Sequence, residues 1–353
     1  MEFRGLPTPG YDETLASWLF RCSVNRHPLM SYRLQLAERP IRWWAGLELK
    51  SADPDTDFTA AANTLKVAGF HANSSILEKG FAFQEGALVD WSYRRFYCPD
   101  CLREDVAKGH LPMWRKNWCY EGSSACSIHC RQLEGLIDPS RYSKAWDAFV
   151  QHCNTNAGRA FETDRVFLRL RSTTLTKIAK SISHDGVAQR GTLGSLFGKL
   201  FSVFLQAPYK GTHGGAARIH FQTERRGRFA EPKSLEHSFS IGPSTADPSS
   251  RFGSMVLAGS LLGIITESRY MVLARAYEAV NPNSLLPRDL HQAAAFPYLD
   301  RRGYGALHAY LGVMPRSLYP ILERHLQLQE YRYTREGAFD GRPLGIVDDV
   351  NQY

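Results

Sequence analysis

The sequence predicts a mainly α-helical protein with two domains. Apolar residues recur at helical spacing through most of the chain. All seven Trp and all seven Cys lie before residue 155, whereas Leu, Ala and Phe dominate after it, so the composition changes sharply near the middle. The 353 residues provide enough chain for two ordinary domains with buried cores. We therefore expect an N-terminal helical domain at 1–155 and an all-helical C-terminal domain at 156–353.

Composition excludes several classes of protein. A hydrophobic content of 43% with 22% charged residues is typical of a folded globular chain. The longest apolar stretch, Phe252 to Ile265, is too short to span a bilayer and predicts a buried helix. The first ten residues lack the basic-then-apolar pattern of a signal peptide, and the odd number of cysteines favours a reducing compartment. We expect a cytoplasmic protein without a membrane partner.

The N-terminal domain should begin with a helix capped by Asp12, a residue type that favours this position. Its apolar stripe repeats at i, i+3, i+4 and i+7 and consists of Leu15, Trp18, Leu19 and Cys22. Further helices are expected at 32–38, 56–68 and 73–79, the first of them stopped by Pro40.

A module at about 94–133, inserted in this domain, contains the most specific pattern of the sequence. Cys98 and Cys101 form one pair, and after twenty-four residues Cys126 and His129 form a second pair at the same spacing. Two such pairs suit one tetrahedral Zn²⁺. Four protein ligands leave no position for water, so we expect a structural rather than a catalytic metal, surrounded by short strands and turns.

Two other interpretations of these residues remain. The first pair could be a redox Cys-x-x-Cys, although no thioredoxin-like βαβ pattern surrounds it. Cys119 and Cys130 are additional thiols beside the motif. With His110, His152 or Cys153 they could form a second metal site, despite their irregular spacing.

The net charge of +8 is concentrated in one segment. From Arg159 to Lys233 there are fourteen Lys or Arg and five Asp or Glu, a net of +9. Such a segment favours a polyanion, nucleic acid first and an anionic membrane second, although a solvated basic face is the alternative. The run at 207–251 is rich in Gly, Pro, Ser and basic residues and predicts a long basic loop. Its candidate nucleic-acid or partner contacts are Arg225, Arg226 and Arg228.

Helical periodicity in the C-terminal domain covers 166–183, 192–206, 252–266, 269–280, 287–296 and 306–328. The last of these predicts a helix-turn-helix. Gly312 can adopt the positive φ that ends its first helix, and Pro315 suits the first turn of the second. The residues left outward, where such a motif contacts DNA, are Arg316, Ser317 and Tyr319. Pro320 would fall within the second helix, which argues against tight docking.

Two blocks of the first 135 residues resemble the TniQ family of transposition target-selection proteins. The first block contains Pro9, Glu13, Leu15, Ser17, Trp18, Leu19 and Arg21, similar to the family's Pro…Glu-x-Leu-x-Ser-Trp-Leu-x-Arg opening. The second contains Tyr97, Cys98, Pro99, Cys101, Leu102, Glu104, Asp105, Pro112, Arg115, Trp118, Cys126, His129 and Leu133. Over the C-terminal half only helical character fits the family.

The resemblance implies a non-catalytic function. TniQ-like proteins belong to transposons in which a separate transposase cuts and joins DNA and an AAA+ ATPase activates it. The TniQ-type subunit helps to choose the target, either by binding a DNA site or by sitting on a CRISPR RNA-guided effector complex, and some members are dimers. The implied cofactor is structural Zn²⁺, and the implied location is the cytoplasm of a prokaryote, beside the nucleoid. Trp18 would serve the core and Arg21 a cap or an ion pair.

Three classes of function follow from these observations. The first is a target-selection adaptor, and the second is a self-sufficient sequence-specific DNA-binding protein or regulator that reads bases near Arg316. The third, an enzyme, is not expected. The chain has no GxxxxGK[ST] phosphate loop, lacks the motif order of nucleobase deaminases, and contains no acidic cluster whose context indicates a two-metal nuclease.

Overall fold

The computed structural model describes residues 6–24, 53–67, 70, 73–137, 142–155, 165–183, 190–210, 213–223, 231–281, 284, 286–296, 301–312 and 318–335. Within these residues it contains fourteen α-helices and one two-stranded sheet, which confirms the mainly α fold class. The chain divides into two compact units, an N-terminal unit, Met1–Phe161, and a C-terminal unit, Glu162–Tyr353. None of the described helices is long and apolar enough to cross a bilayer.

The N-terminal unit combines short helices with a small sheet. Its elements are α1 (Leu15–Val24), α2 (Phe58–Val67), α3 (Ser74–Phe81), β1 (Phe96–Tyr97), α4 (Pro99–Ala107), β2 (Glu134–Gly135) and α5 (Lys144–Thr155). The strands pair antiparallel, with Phe96 opposite Gly135 and Tyr97 opposite Glu134. One apolar cluster forms around Trp18 on α1, and a second forms around Trp114 beside β1. The helix expected at 32–38 lies outside the described residues.

Two expectations for this unit are wrong. Asp12 does not cap α1, because its φ is +57° and its carboxylate accepts a hydrogen bond from the backbone N–H of Asn117. Thr14 occupies the capping position instead, where its hydroxyl accepts from the N–H of Ser17 at 3.4 Å. The module at 94–133 is not limited to strands and turns, since it contains α4. Pro99 and Asp100 begin this helix, as suits the first turn.

The C-terminal unit is helical throughout its described residues and has one apolar core. Its elements are α6 (Arg165–Ser183), α7 (Arg190–Phe204), α8 (Ala216–Phe221), α9 (Leu235–Thr245), α10 (Pro248–Leu261), α11 (Glu267–Val280), α12 (Leu290–Ala293), α13 (Arg301–Leu311) and α14 (Pro320–Arg335). α10 is buried along almost its whole length. Gly253 lets α10 approach α8 closely, because a Cβ there would lie 2.3 Å from the ring of Phe221.

The prediction of a long loop at 207–251 is wrong, because α8, α9 and the start of α10 occupy much of it. Ser234 caps α9 by accepting from the N–H of His237, and Asp247 caps α10 by accepting from the N–H of Ser250. These helices are rich in Gly, Ser and Pro because they pack closely, so their composition imitates that of a loop. The helix expected at 287–296 is also shorter and covers only Leu290–Ala293.

The predicted helix-turn-helix is correct where its first helix ends, and part of its predicted second helix lies outside the described residues. α13 ends at Leu311, and Gly312 has a φ of +78°, as expected. Pro320 begins α14 instead of falling within a helix, because proline suits a first helical position, whereas Pro315 lies outside the described residues. Tyr319 precedes α14 and packs against the apolar core instead of facing outward.

Candidate metal centre

The four predicted zinc ligands are brought together by β1, α4 and a tight turn. Cys98 directly follows β1 and Cys101 lies in the first turn of α4. Cys126 and His129 lie on the turn, which is closed by a hydrogen bond from the N–H of Cys126 to the carbonyl of Arg131 at 2.8 Å. The N–H of His129 also donates to the Cys126 sulfur at 3.4 Å. Backbone geometry thus fixes each pair before any metal is considered.

The distances between the ligand atoms fit one tetrahedral ion. All four atoms lie within 4.8 Å of one another. The Nδ1 atom of His129 lies 3.5, 3.3 and 3.7 Å from the sulfurs of Cys98, Cys101 and Cys126, and the last two sulfurs are 3.6 Å apart. A tetrahedral zinc with Zn–S bonds of about 2.3 Å and Zn–N bonds of about 2.05 Å places its ligands roughly 3.5–3.8 Å apart. The cluster can therefore bind Zn²⁺ without rearrangement.

The electrostatics of the cluster favour a cation. The three sulfurs are buried. A hydrogen bond between Cys101 and Cys126 raises the pKa of the Cys101 thiol and lowers the pKa of Cys126, because the Cys126 thiolate accepts the proton of its neighbour. Because the sulfurs lie so close together, not all three can ionise unless a positive charge is present. A divalent cation would supply that charge and hold all three cysteines as thiolates.

A carboxylate orients the histidine of this cluster. Nε2 of His129 lies 2.8 Å from Oε1 of Glu104 on α4, which leaves Nδ1 facing the sulfurs. The same hydrogen bond lowers the pKa of Glu104. Such a partner fixes the tautomer of a ligand histidine and raises its basicity. In the sequence, Glu104 is distinguished only as part of the family pattern, and in the structure it makes this contact with His129.

Buried polar contacts attach the metal module to α1. The Glu13 carboxylate pairs with Arg21 at 2.6 Å, and both side chains are at least nine-tenths buried. Ser17 donates to Glu13 at 3.0 Å and accepts the N–H of Trp114 at 2.9 Å. Arg21 thus has the ion pair that the resemblance suggested. The network joins the N-terminal turn, α1 and the module across almost one hundred residues of sequence.

A second buried group was not predicted. Asp55 pairs with Arg94 at 2.8 Å and accepts the N–H of Ala16 at 3.0 Å. Beside it, the ammonium group of Lys144 lies 3.5 Å from the ring centre of Trp91. Burial lowers the pKa of Lys144 to about 8. The only sequence signal was the Asp53-Pro-Asp55 turn, which does not indicate its partner forty residues later.

The alternative second metal site is not assembled. Among the described residues, which include all of its candidates, only the Cys98 cluster brings three or more ligands together. Cys119 is buried, its thiol donates to the carbonyl of Arg115 at 3.5 Å, and burial raises its pKa to about 12. His152 instead faces Glu134 at 3.1 Å. The predicted nucleic-acid contacts other than Tyr319 lie outside the described residues, and they are Arg225, Arg226, Arg228, Arg316 and Ser317.

Comparison with known proteins agrees with the resemblance found in the sequence. The TniQ family model matches residues 5–133, which include all four cluster residues and the network of Glu13. No curated protein and no solved structure matches the chain. TniQ proteins are non-catalytic and associated with transposition. This match supports membership of the TniQ family through the N-terminal segment 5–133.

Proposed function

We propose that this protein is a transposition target-selection adaptor, which links a target-recognition element to an AAA+ transposition regulator. The recognition element would be a DNA site or a CRISPR RNA-guided effector complex. The observation that carries the proposal is the cluster of Cys98, Cys101, Cys126 and His129 inside the TniQ segment. Its four positions are filled by protein ligands, an arrangement that suits a structural metal in a binding platform.

The residues around the cluster would transmit its rigidity to the rest of the platform. When bound, zinc supplies cross-links between α4 and the turn at 126–129. Beside it, the N–H of Lys116 donates to the carbonyl of Asp12 at 2.7 Å, and the N–H of Thr14 donates to that of Trp114 at 2.9 Å. These bonds hold the start of α1 against the module. Loss of the metal should therefore disturb α1 as well as the module.

The surface of the N-terminal unit suits protein partners. Trp146 and Val150 are 41% and 37% exposed on one face of α5, and Ile137 nearby is 75% exposed. Gln151 connects α5 with Ile137, since its side-chain oxygen Oε1 accepts a hydrogen bond from the backbone N–H of Ile137 at 2.9 Å. Exposed aromatic and apolar side chains that lie together are typical of protein interaction sites. This face is a candidate contact for the AAA+ regulator or the effector complex.

The AAA+ ATPase of the same transposon tests the proposal. In a pull-down, the wild-type chain should retain the ATPase. The Cys98→Ser variant should lose its zinc and retain at least tenfold less ATPase. Cys153→Ser, which changes an exposed thiol outside the cluster, serves as the matched control. Unchanged ATPase binding by a zinc-free Cys98→Ser protein would refute the role given to the metal.

A second candidate, a self-sufficient DNA-binding protein, is favoured by one observation on α6. This helix contains no Asp or Glu, is about 28 Å long, and exposes Arg165, Arg169, Lys177 and Lys180. Arg269 of α11 adds to the same region, where it donates to the hydroxyl of Thr173 at 2.6 Å. A face with several cations and hydroxyl groups suits phosphate contacts, which carry no sequence information themselves.

Binding to duplex DNA without any guide complex discriminates between the two candidates. A self-sufficient binder should prefer one sequence over scrambled DNA, and Arg169→Glu should weaken binding to both. An adaptor that depends on other subunits for recognition should bind all sequences equally and weakly. Lys66→Glu on α2 is the matched charge control, and affinity should fall as salt increases in every case.

A further inference from the structure

A groove of about 620 Å³ lies in the N-terminal unit, outside the metal cluster. Two chain segments form its walls: 7–11, which precedes α1, and 108–113, which follows α4. Arg21, Asp105 and Arg115 also line it, and all three are buried residues. The groove therefore has a charged floor and two walls made of backbone and mostly uncharged side chains.

The first wall is held in place by the floor. Arg21 donates from Nη2 to the carbonyl of Thr8 at 2.9 Å, and Arg115 donates from Nη1 to the carbonyl of Tyr11 at 2.7 Å. The N–H of Gly10 donates to Glu13 at 2.8 Å. A Cβ at Gly10 would lie 2.2 Å from the sulfur of Met113, so the wall passes close to the opposite side only because glycine stands there. The groove is preformed, which reduces the entropy cost of binding.

A donor of Arg21 on the floor is left for an occupant. Nε of Arg115 also makes no hydrogen bond to a described residue, but that atom is fully buried and does not reach the groove. Arg21 uses Nε and Nη2 for Glu13 and Thr8, whereas its Nη1 makes no hydrogen bond to any described residue. The Arg21 side chain is only 7% exposed, and it lines the groove. Its Nη1 is therefore the atom that can donate a hydrogen bond to a molecule in the groove. A guanidinium nitrogen has only donors, and its natural partner is an anionic oxygen.

The acidic groups of the site are already engaged. Glu13 accepts hydrogen bonds from Gly10, Ser17 and Arg21. Asp105 accepts from the N–H of Met113 at 3.0 Å and pairs with Arg115. At the rim, Lys108 and His110 are exposed. The exposed pair of Lys108 with Glu104, at 3.6 Å, contributes little and leaves the ammonium group accessible. The floor therefore offers a donor, and the rim a cation, to an incoming carboxylate.

The apolar walls of the groove indicate which class of molecule would contain that carboxylate. Pro7, Pro9, Leu111 and Met113 present apolar surface, and Tyr11 is 75% exposed at the edge. A nucleic-acid backbone would require a row of cations, as on α6, whereas this groove presents the guanidinium of Arg21 between apolar walls. An extended peptide with one acidic side chain matches both features, because its backbone and neighbouring side chains contact the walls while its carboxylate reaches the floor.

We propose that this groove binds an extended segment of a partner protein, with an Asp or Glu carboxylate hydrogen-bonded to Nη1 of Arg21 and attracted by Lys108. The inference rests on the proposed function only in that an adaptor has protein partners. The groove is a docking site separate from the apolar face of α5.

An array of random, end-capped octapeptides probed with the full-length chain tests the proposal. Bound peptides should be enriched in Asp or Glu. For the peptide that binds best, replacing its acidic residue with the corresponding amide should raise the dissociation constant about tenfold or more. Thr8→Trp should fill the groove from the exposed rim, and Lys108→Glu should repel the carboxylate, so both should weaken binding to a similar degree. Lys66→Glu is the matched control on α2 and should bind like the wild type.

Three results would overturn the proposal. They are an array without acidic enrichment, a Thr8→Trp protein that binds the peptide as well as the wild type, and displacement of the peptide by single-stranded DNA at equal concentration. Zinc content and the circular dichroism spectrum show whether each variant is folded. The ATPase is absent from the peptide assay, so this assay tests the groove even if the adaptor proposal fails. The pull-down, in turn, tests ATPase binding whether or not the groove binds peptides.

Discussion

The two units of the chain are stabilised in different ways. The N-terminal unit has short elements, two separate apolar clusters, and buried ion pairs between Glu13 and Arg21 and between Asp55 and Arg94. The C-terminal unit has one apolar core that extends over most of its helices. Its buried Arg218 donates to the carbonyls of Leu205 and Gly242, both at 2.8 Å.

The difference indicates which unit would depend on a bound metal. In the C-terminal unit, long helices bury enough apolar surface to fold by the hydrophobic effect, and buried guanidinium groups satisfy carbonyls near helix ends. In the N-terminal unit, the segment from β1 to β2 consists of short elements, and such segments depend on cross-links. The account therefore predicts one metal-dependent unit and one metal-independent unit within the same chain.

Metal removal should give the largest effect. Cys126→Ser, or chelation of the wild-type protein, should unfold the N-terminal unit, because structural zinc contributes about 10–16 kcal/mol in small zinc domains. Hydrogen exchange measured by mass spectrometry should show lost protection across α1, α4 and α5, with protection of α7 and α10 retained. The control Cys153→Ser should exchange like the wild type. Equal loss of protection in both units would break the comparison.

Loss of the Glu13–Arg21 pair should be the next largest effect. Glu13→Gln leaves the guanidinium of Arg21 buried without its counter-charge, which should cost about 3–5 kcal/mol of unfolding free energy. Denaturant unfolding followed by tryptophan fluorescence measures this unit selectively, since every Trp lies before residue 155. Glu78→Gln, at an exposed acid on α3 of the same unit, should change stability by less than about 0.5 kcal/mol. If Glu13→Gln left the free energy of unfolding unchanged, the Glu13–Arg21 pair would not be needed for stability.

A cavity in the C-terminal unit should have an effect that does not depend on metal. Leu257 on α10 is fully buried, so Leu257→Ala should cost about 2–5 kcal/mol. The loss, measured by calorimetry, should be the same with and without chelator. Val272→Ala on α11, where the side chain is 47% exposed, is the matched control and should have a much smaller effect. A chelator-dependent loss for Leu257→Ala would show that the two units are coupled.

The smallest predicted effect is a pH dependence confined to the C-terminal unit. Burial lowers the pKa of His325 to about 3, with a smaller contribution from the facing His291. The native state therefore keeps His325 neutral, whereas the unfolded state binds a proton below about pH 6.5. Stability should fall as the pH decreases, by about 2 kcal/mol between pH 6.5 and 5. His325→Gln should flatten this slope, and an unchanged slope would contradict the assignment.

Part of this architecture could be predicted from sequence because its signals are local. The two ligand pairs each lie within four residues, and the turn at 126–129 and the start of α4 bring them into place. Gly312 likewise ends α13 through its own backbone preference. The mainly α class and the TniQ resemblance follow from such local signals; the structure confirms the first, and the match over residues 5–133 supports the second.

The remaining features depend on contacts between distant residues. α8, α9 and the start of α10 were missed because glycines and serines permit close packing of these helices. This requirement is visible only in the structure, where Gly253 lies against the ring of Phe221. The pairing of Asp55 with Arg94 and the cation–π contact of Lys144 with Trp91 join positions that no local pattern connects. Pro320 was expected within a helix but begins α14, because proline also suits a first helical position.

The central claim is that one zinc ion, held by Cys98, Cys101, Cys126 and His129, stabilises the N-terminal unit. X-ray absorption at the zinc edge of the purified chain tests it most directly. The account predicts one zinc per chain with three sulfur ligands at about 2.3 Å and one nitrogen ligand at about 2.0–2.1 Å. A protein that is folded in both units but contains no zinc, or a zinc that carries a bound water in place of one of these ligands, would contradict it.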